Sequence, residues 1–147
     1  MAITVKLYGQ GQLKLVTGSI DLDTDTFKLM LVDNTNPPDL DVDDFRDDRT
    51  AGELANGGGY TTGGVTLTSV AVTYDSASDQ VRFDCADPSW PFTAAKTWRY
   101  GDVTKSRGGL ASADELLANL TWDADQTVST TYTLQLDPAG LLYWDVT

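Results

Sequence analysis

The chain has 147 residues, with 22 acidic against 10 basic side chains, a formal net charge of -12 and no histidine. That length suits one domain with one core, and 41% hydrophobic with 10% aromatic residues is a globular composition. The charge disfavours nucleic acid and anionic membrane surfaces as partners, and the missing histidine excludes a Ser-His-Asp triad, a Cys-His pair and any His-containing zinc site.

Along the chain the dominant period is two, that of a strand whose successive side chains face opposite sides of a sheet. Ile3, Val5 and Leu7 alternate with Thr4 and Lys6, and Gly9-Gln10-Gly11 then breaks the run before Leu13-Lys14-Leu15-Val16. Residues 1–19 therefore read as an arm that adds to a neighbour's sheet or, preferably, as the domain's own first strand, with residues 20–147 as a single sandwich domain. No basic start leads into a long apolar run, and no stretch of about 18 apolar residues occurs, so neither a signal peptide nor a membrane span is predicted. Residues 27–32 form the next strand, with Phe27, Leu29 and Leu31 on one face. After Asn34-Thr35-Asn36-Pro37-Pro38, residues 39–53 are the best candidate for a short helix, anchored by Leu40 and Phe45.

Asn56-Gly57-Gly58-Gly59 and Gly63-Gly64 bracket Tyr60-Thr61-Thr62, and glycines at that density supply positive φ for turns. The strand from Val65 to Tyr74 changes phase: Val65 and Leu67 share one parity, Val70, Val72 and Tyr74 the other, which predicts a bulge near Thr68-Ser69. In residues 81–85, Val81, Phe83 and Cys85 point inward and Arg82 and Asp84 outward. Residues 116–122 read as a strand with an alternative helical turn over 112–119. Residues 130–137 alternate Tyr132, Leu134 and Leu136 with polar neighbours, and the turn Pro138-Ala139-Gly140 predicts a C-terminal hairpin with residues 141–144. The fold class that follows is all-β: a two-sheet antiparallel β-sandwich, jelly-roll-like topology being one of its forms, with at most one short helix.

Ten of the 22 acids fall in residues 21–48. Asp21, Asp23 and Asp25 have the spacing that opens an EF-hand loop, but position six is Thr26 and position twelve is Val32, so that motif fails. Another oxygen site could draw on Asp39, Asp41, Asp43, Asp44, Asp47 and Asp48, with Arg46 and Arg49 interspersed. Solvated turns and a capped helix start account for the cluster more simply. Residues 96–107 run the other way: Lys96, Arg99, Lys105 and Arg107 face a single acid, Asp102. They are the candidate contact for an acidic protein surface, or else they balance aspartates of the same chain. Trp90, Trp98, Trp122 and Trp144 are candidate sugar-stacking platforms, with core packing the stronger reading. Carboxylate pairs alone could run glycoside hydrolysis, but nothing singles out one pair among so many aspartates, so no enzyme activity is expected. The lone Cys85 cannot form an internal disulfide or a multi-thiolate metal site, phosphate-loop and dinucleotide patterns are absent, and no cofactor or metal is implied.

Several landmarks occur together: Ile20-Asp21-Leu22-Asp23-Thr24-Asp25-Thr26-Phe27-Lys28-Leu29-Met30-Leu31, Gly58-Gly59-Tyr60-Thr61-Thr62-Gly63-Gly64-Val65-Thr66-Leu67, Val72-Thr73-Tyr74-Asp75, Phe83-Asp84 with Ala86-Asp87-Pro88-Ser89-Trp90, and Tyr132-Thr133-Leu134-Gln135-Leu136-Asp137 before Ala139-Gly140-Leu141-Leu142. In combination they resemble a family of small structural proteins encoded by tailed bacteriophages. The likeness begins near Ile20 and departs at Lys105 to Ser112 and at Ser89-Trp90-Pro91-Phe92. It implies a virion protein made in the host bacterial cytoplasm, a capsid decoration or cement protein on the outside of the major capsid protein shell, with a tail or head-fibre station as the alternative. That role carries a further expectation of self-association, as homotrimers at lattice symmetry axes.

Overall fold

The period-two alternation is realised as antiparallel strands in a computed structural model that describes residues 2–146. In chain order these are β1 (Ile3–Leu7), β2 (Phe27–Val32), β3 (Val65–Thr66), β4 (Ala71–Asp75), β5 (Gln80–Asp84), β6 (Ser89–Pro91), β7 (Lys96–Lys105), β8 (Glu115–Val128), β9 (Thr131–Thr133) and β10 (Leu142–Asp145). One α-helix, α1 (Gly9–Val16), follows β1, and 3-10 turns occupy Arg46–Gly52 and Ala111–Ala113. A five-stranded sheet has the order β1-β8-β7-β2-β3, a three-stranded sheet the order β10-β5-β4, and β6 pairs with β9. The chain is an all-β antiparallel sandwich with little helix.

Register decides what each face buries. Leu29 lies opposite Val103 and Leu31 opposite Gly101, while Ala118 and Leu120 of β8 continue the same two rows. This inner face meets the second sheet, where Phe83 packs edge-on against Phe27 with ring centroids 5.3 Å apart. The β6–β9 ribbon closes one end, with Tyr132 4.8 Å from Trp98 and Trp98 in turn 6.1 Å from Trp122. Cys85 is buried in this core. The outer face of the large sheet carries Met30, Asp102 and Asn119 in one row, and all three are buried. A third layer covers them: α1, whose Gly9 N–H donates to Leu40 O, and residues 33–53, tied down by Arg46 N–H to Asp114 O and by Leu116 N–H to Asp44 O.

Several local expectations are corrected by these pairings. Gly9-Gln10-Gly11 does end the strand run, but it also opens α1, where a Cβ on Gly11 would lie 2.6 Å from the carbonyl oxygen of Leu116, so only glycine lets the helix lie against β8. β1 itself is an edge strand of this chain's own sheet, with Val5 opposite Leu120. The phase change in residues 65–74 is a crossing rather than a bulge: β3 belongs to the large sheet and β4 to the small one, with Ser69 at φ +53° between them. Among the described residues no C-terminal hairpin forms. The turn at Pro138-Ala139-Gly140 exists, with Gly140 N–H donating to Asp137 O, but it separates strands that go to different partners, β9 to β6 and β10 to β5. The predicted helix at 39–53 is replaced by tight turns and the 3-10 segment, because the main chain around Phe45 bridges to Glu115, with Arg46 N–H on Asp114 O and Leu116 N–H on Asp44 O, instead of bonding within a helix.

Candidate interaction surface

The acidic run resolves into turn chemistry. Asp21 and Asp39 each begin the sequence Asp-Leu-Asp-x-Asp, and the two copies fold alike. In the first, Asp21 N–H donates to Asp25 Oδ2 (2.7 Å) and Asp23 N–H to Asp21 Oδ1 (2.9 Å). In the second, Asp39 N–H donates to Asp43 Oδ2 (2.9 Å) and Asp41 N–H to Asp39 Oδ1 (3.1 Å). Asp48 receives the N–H groups of Asp44 and Phe45 in the same way. The Asp21 carboxyl is held below the usual carboxylate range, first by the Asp23 N–H. Among the described residues no group of three or more His, Cys, Asp or Glu side chains is placed to hold a metal ion.

The four basic residues at 96–107 are not brought together. They lie on or just past β7, an interior strand of ten residues whose ends are about 30 Å apart. At one end Lys96 Nζ donates to Ala55 O (2.7 Å) and Arg99 pairs loosely with Asp125 at 3.6 Å. At the other end Lys105 Nζ bonds Asp25 Oδ2 and Ser19 O, both at 2.7 Å, and Arg107 Nε reaches Glu115 Oε2 at 3.0 Å. Burial pushes the Glu115 carboxyl upward, but the Arg107 hydrogen bonds, a main-chain N–H and the charges of Arg107 and Lys105 together leave the group below its ordinary value.

Asp102, the single acid among those bases, is the hub of a buried polar network. Its carboxylate accepts from Tyr8 Oη (2.7 Å), Arg49 Nε (2.9 Å) and Asn119 Nδ2 (2.7 Å). Arg49 also donates from Nη1 to Asn36 O (2.6 Å), and both its side chain and that of Asp102 are fully buried. Burial works against the Arg49 cation, yet Asp102, together with Tyr8 and Asp43, offsets it and raises the guanidinium's pKa. The network staples the covering layer, through Tyr8, Asn36 and Arg49, to β7 and β8. Its signal in the sequence is an acid between Gly101 and Val103, in mid-strand, where an unpaired charge is not tolerated. Tyr60 plays a smaller version of this part, accepting from Leu31 N–H and donating to Glu53 Oε1 at 2.9 Å.

Trp90, Trp98 and Trp122 are core residues, which leaves Trp144 as the indole that a solvent-borne molecule can reach. Trp144 lies in an open groove of about 820 Å³ between α1, the Gly18-to-Asp23 turn and the small sheet. Its walls are mostly apolar, with Leu15, Val16 and Leu22 on one side and Val72 and Trp144 on the other, and Val16 is 81% exposed. Asp21 and Asp23 stand at its rim, and no lysine or arginine is among the described residues that line it. No described helix is long and apolar enough to cross a membrane. No family model, curated protein or solved structure matches the chain.

Proposed function

We propose that this chain is a non-enzymatic structural protein of a tailed-phage particle, a decoration protein that binds the outside of the major capsid protein shell and stabilises it. The observation that carries the reading is the division of surface chemistry. Acids of residues 21–48 serve local turns, bases at 96–107 serve intrachain acceptors, and a group of apolar side chains is left open in the groove beside Trp144. A rigid sandwich with that surface acts through what docks on it, and exposed apolar patches rimmed by polar residues mark such contacts. The resemblance of the residues from Ile20 onward to small phage structural proteins supplies the setting, with the host cytoplasm as the place of synthesis and the particle exterior as the destination.

The test is rebinding. Purified protein added to heads that lack it is expected to sediment with them and to raise the temperature at which they release DNA. Failure to bind heads, with binding to isolated tails, would move the protein to the tail or fibre station instead.

A further inference from the structure

We infer that the free edge of β4 and the groove beside it form a strand-addition site for an extended partner segment that alternates apolar side chains with lysine or arginine. This rests on the reading of the chain as a docking protein and names the chemistry of what docks.

The edge comes first. β4 pairs with β5 alone, and its other side meets no strand among the described residues. Ala71, Val72, Thr73 and Tyr74 are all exposed, Tyr74 at 59%. An unpaired row of main-chain N–H and C=O groups is a template for another strand, and natural edges are usually blunted by lysine, proline, shortness or cover. Four of the other edges show such devices: β1 carries Lys6, β3 is two residues long, β6 ends in Pro91 and β9 is three residues long, while β10, of four residues, looks across a cleft to Ile3 and Val5. β4 has none of them.

Register then ties the edge to the groove. Val72 lies opposite Phe83 and Tyr74 opposite Val81, while Leu142 and Trp144 lie opposite the same two residues from the other side. These side chains share the inner face of the small sheet. Phe83 and Leu142 are covered by the large sheet, but Val72 and Trp144 emerge into the groove. A segment added to β4 continues that face and directs every second side chain over Val72 toward Leu15, Val16 and Leu22.

Charge selects the occupant. The alternate side chains of an added strand lie over the other face of the small sheet, beside the row Ala71, Thr73 and Asp75, which continues through Asp84, Arg82 and Gln80 to Tyr143 and Asp145. That face holds three acids against one cation, Arg82, which is already paired with Asp75, on a chain of net charge -12. A second copy paired edge to edge would bring the same acids onto the same face, whereas a basic segment is drawn to it.

The experiment uses the full chain and four capped eight-residue peptides: alternating valine and lysine, alternating valine and glutamate, alternating proline and lysine, and four valines followed by four lysines. The valine–lysine peptide is expected to slow hydrogen exchange of amides in residues 71–75 at least tenfold and to shift tryptophan emission to the blue. The other three are expected to do neither. Val72→Lys should abolish the protection. Asp84→Lys, at an exposed residue opposite Ala71 on the face that the lysines cover, should weaken binding at least fivefold, and Asp84→Asn should weaken it less. Binding by the proline–lysine peptide equal to that of valine–lysine would reduce the effect to charge and overturn the proposal. Protection of residues 71–75 that grows with protein concentration in the absence of peptide would give the edge to a second copy and overturn the stated occupant. Head binding tests the particle reading separately: peptide protection without head binding leaves the site standing and removes the capsid, while head binding without peptide protection overturns the site alone.

Discussion

Asp102→Ala is the substitution on which the account of the covering layer depends. It removes the acceptor for three hydrogen bonds of 2.7–2.9 Å and leaves the Arg49 guanidinium, itself fully buried, facing no carboxylate at bonding distance. The nearest other acid, Asp43, is 3.8 Å from Arg49 Nη1. Breaking a buried pair from one side costs about 3–5 kcal/mol, because an uncompensated charge remains in the interior. In a domain of this size that lowers the melting temperature by roughly 6–20 °C. Urea unfolding followed by tryptophan fluorescence measures it, with an unchanged m-value showing that the denatured state is not what moved. Arg49→Met alone should cost a comparable amount, since Asp102 then becomes the orphan. Arg49→Met combined with Asp102→Asn should cost less than the sum of the two, because asparagine still accepts from Tyr8 and Asn119 and no charge is stranded. A loss below about 1 kcal/mol for Asp102→Ala, the range of an exposed ion pair, would refute the reasoning.

Gly64→Ala should prevent folding, because a Cβ there would lie 2.0 Å from Leu29 O at φ +82°, whereas Gly18→Ala, at φ +80° with nothing near, should cost only about 1–2 kcal/mol; soluble yield and melts separate them. Burial first, and then the neighbouring Asp102 and Glu53, push the Tyr8 and Tyr60 phenols far above their ordinary value. Their folded pKa values exceed the unfolded ones, so the stability they confer is complete below about pH 10 and is lost as pH rises further. Absorbance at 295 nm should therefore show a group of tyrosines ionising only with unfolding. At the acid end Asp21, Asp75 and Glu115 are lowered, so their contribution is present above about pH 5 and lost as pH falls, while Asp43, raised chiefly by burial, acts in the opposite sense. Urea midpoints between pH 3 and 7 should fall toward acid. The Cys85 thiol is pushed up to about 11 by burial and then by Asp84 and Asp87, so a disulfide reagent at pH 7.5 should label it slowly in the folded protein and fast in denaturant.

The strands that share one face across neighbours were the legible part of the fold. Phe27, Leu29 and Leu31, and likewise Val81, Phe83 and Cys85, alternate because one side meets the core, and that pattern is local. Choice of partner is not local. A phase change at Thr68-Ser69 looks the same in sequence whether a strand bulges or crosses to the other sheet. The turn at Pro138-Ala139-Gly140 is also readable, yet nothing in it says that β9 and β10 diverge. α1 runs against propensity, since two glycines in its first turn disfavour a helix. The reason for Gly11 lies about a hundred residues away, in the backbone of Leu116 and Leu117. For the surface, counting charge along residues 96–107 suggested a patch because it ignored the alternation and length of β7, which disperse the four bases. The groove has no signature of its own: Leu15, Leu22, Val72 and Trp144 meet there only through topology.

Quantitative mass spectrometry of purified phage particles tests the central claim most directly. The account predicts this protein at a copy number comparable to that of the major capsid protein, released together with loss of head stability. Its absence, or its presence at only a few copies per particle, would contradict a decoration role.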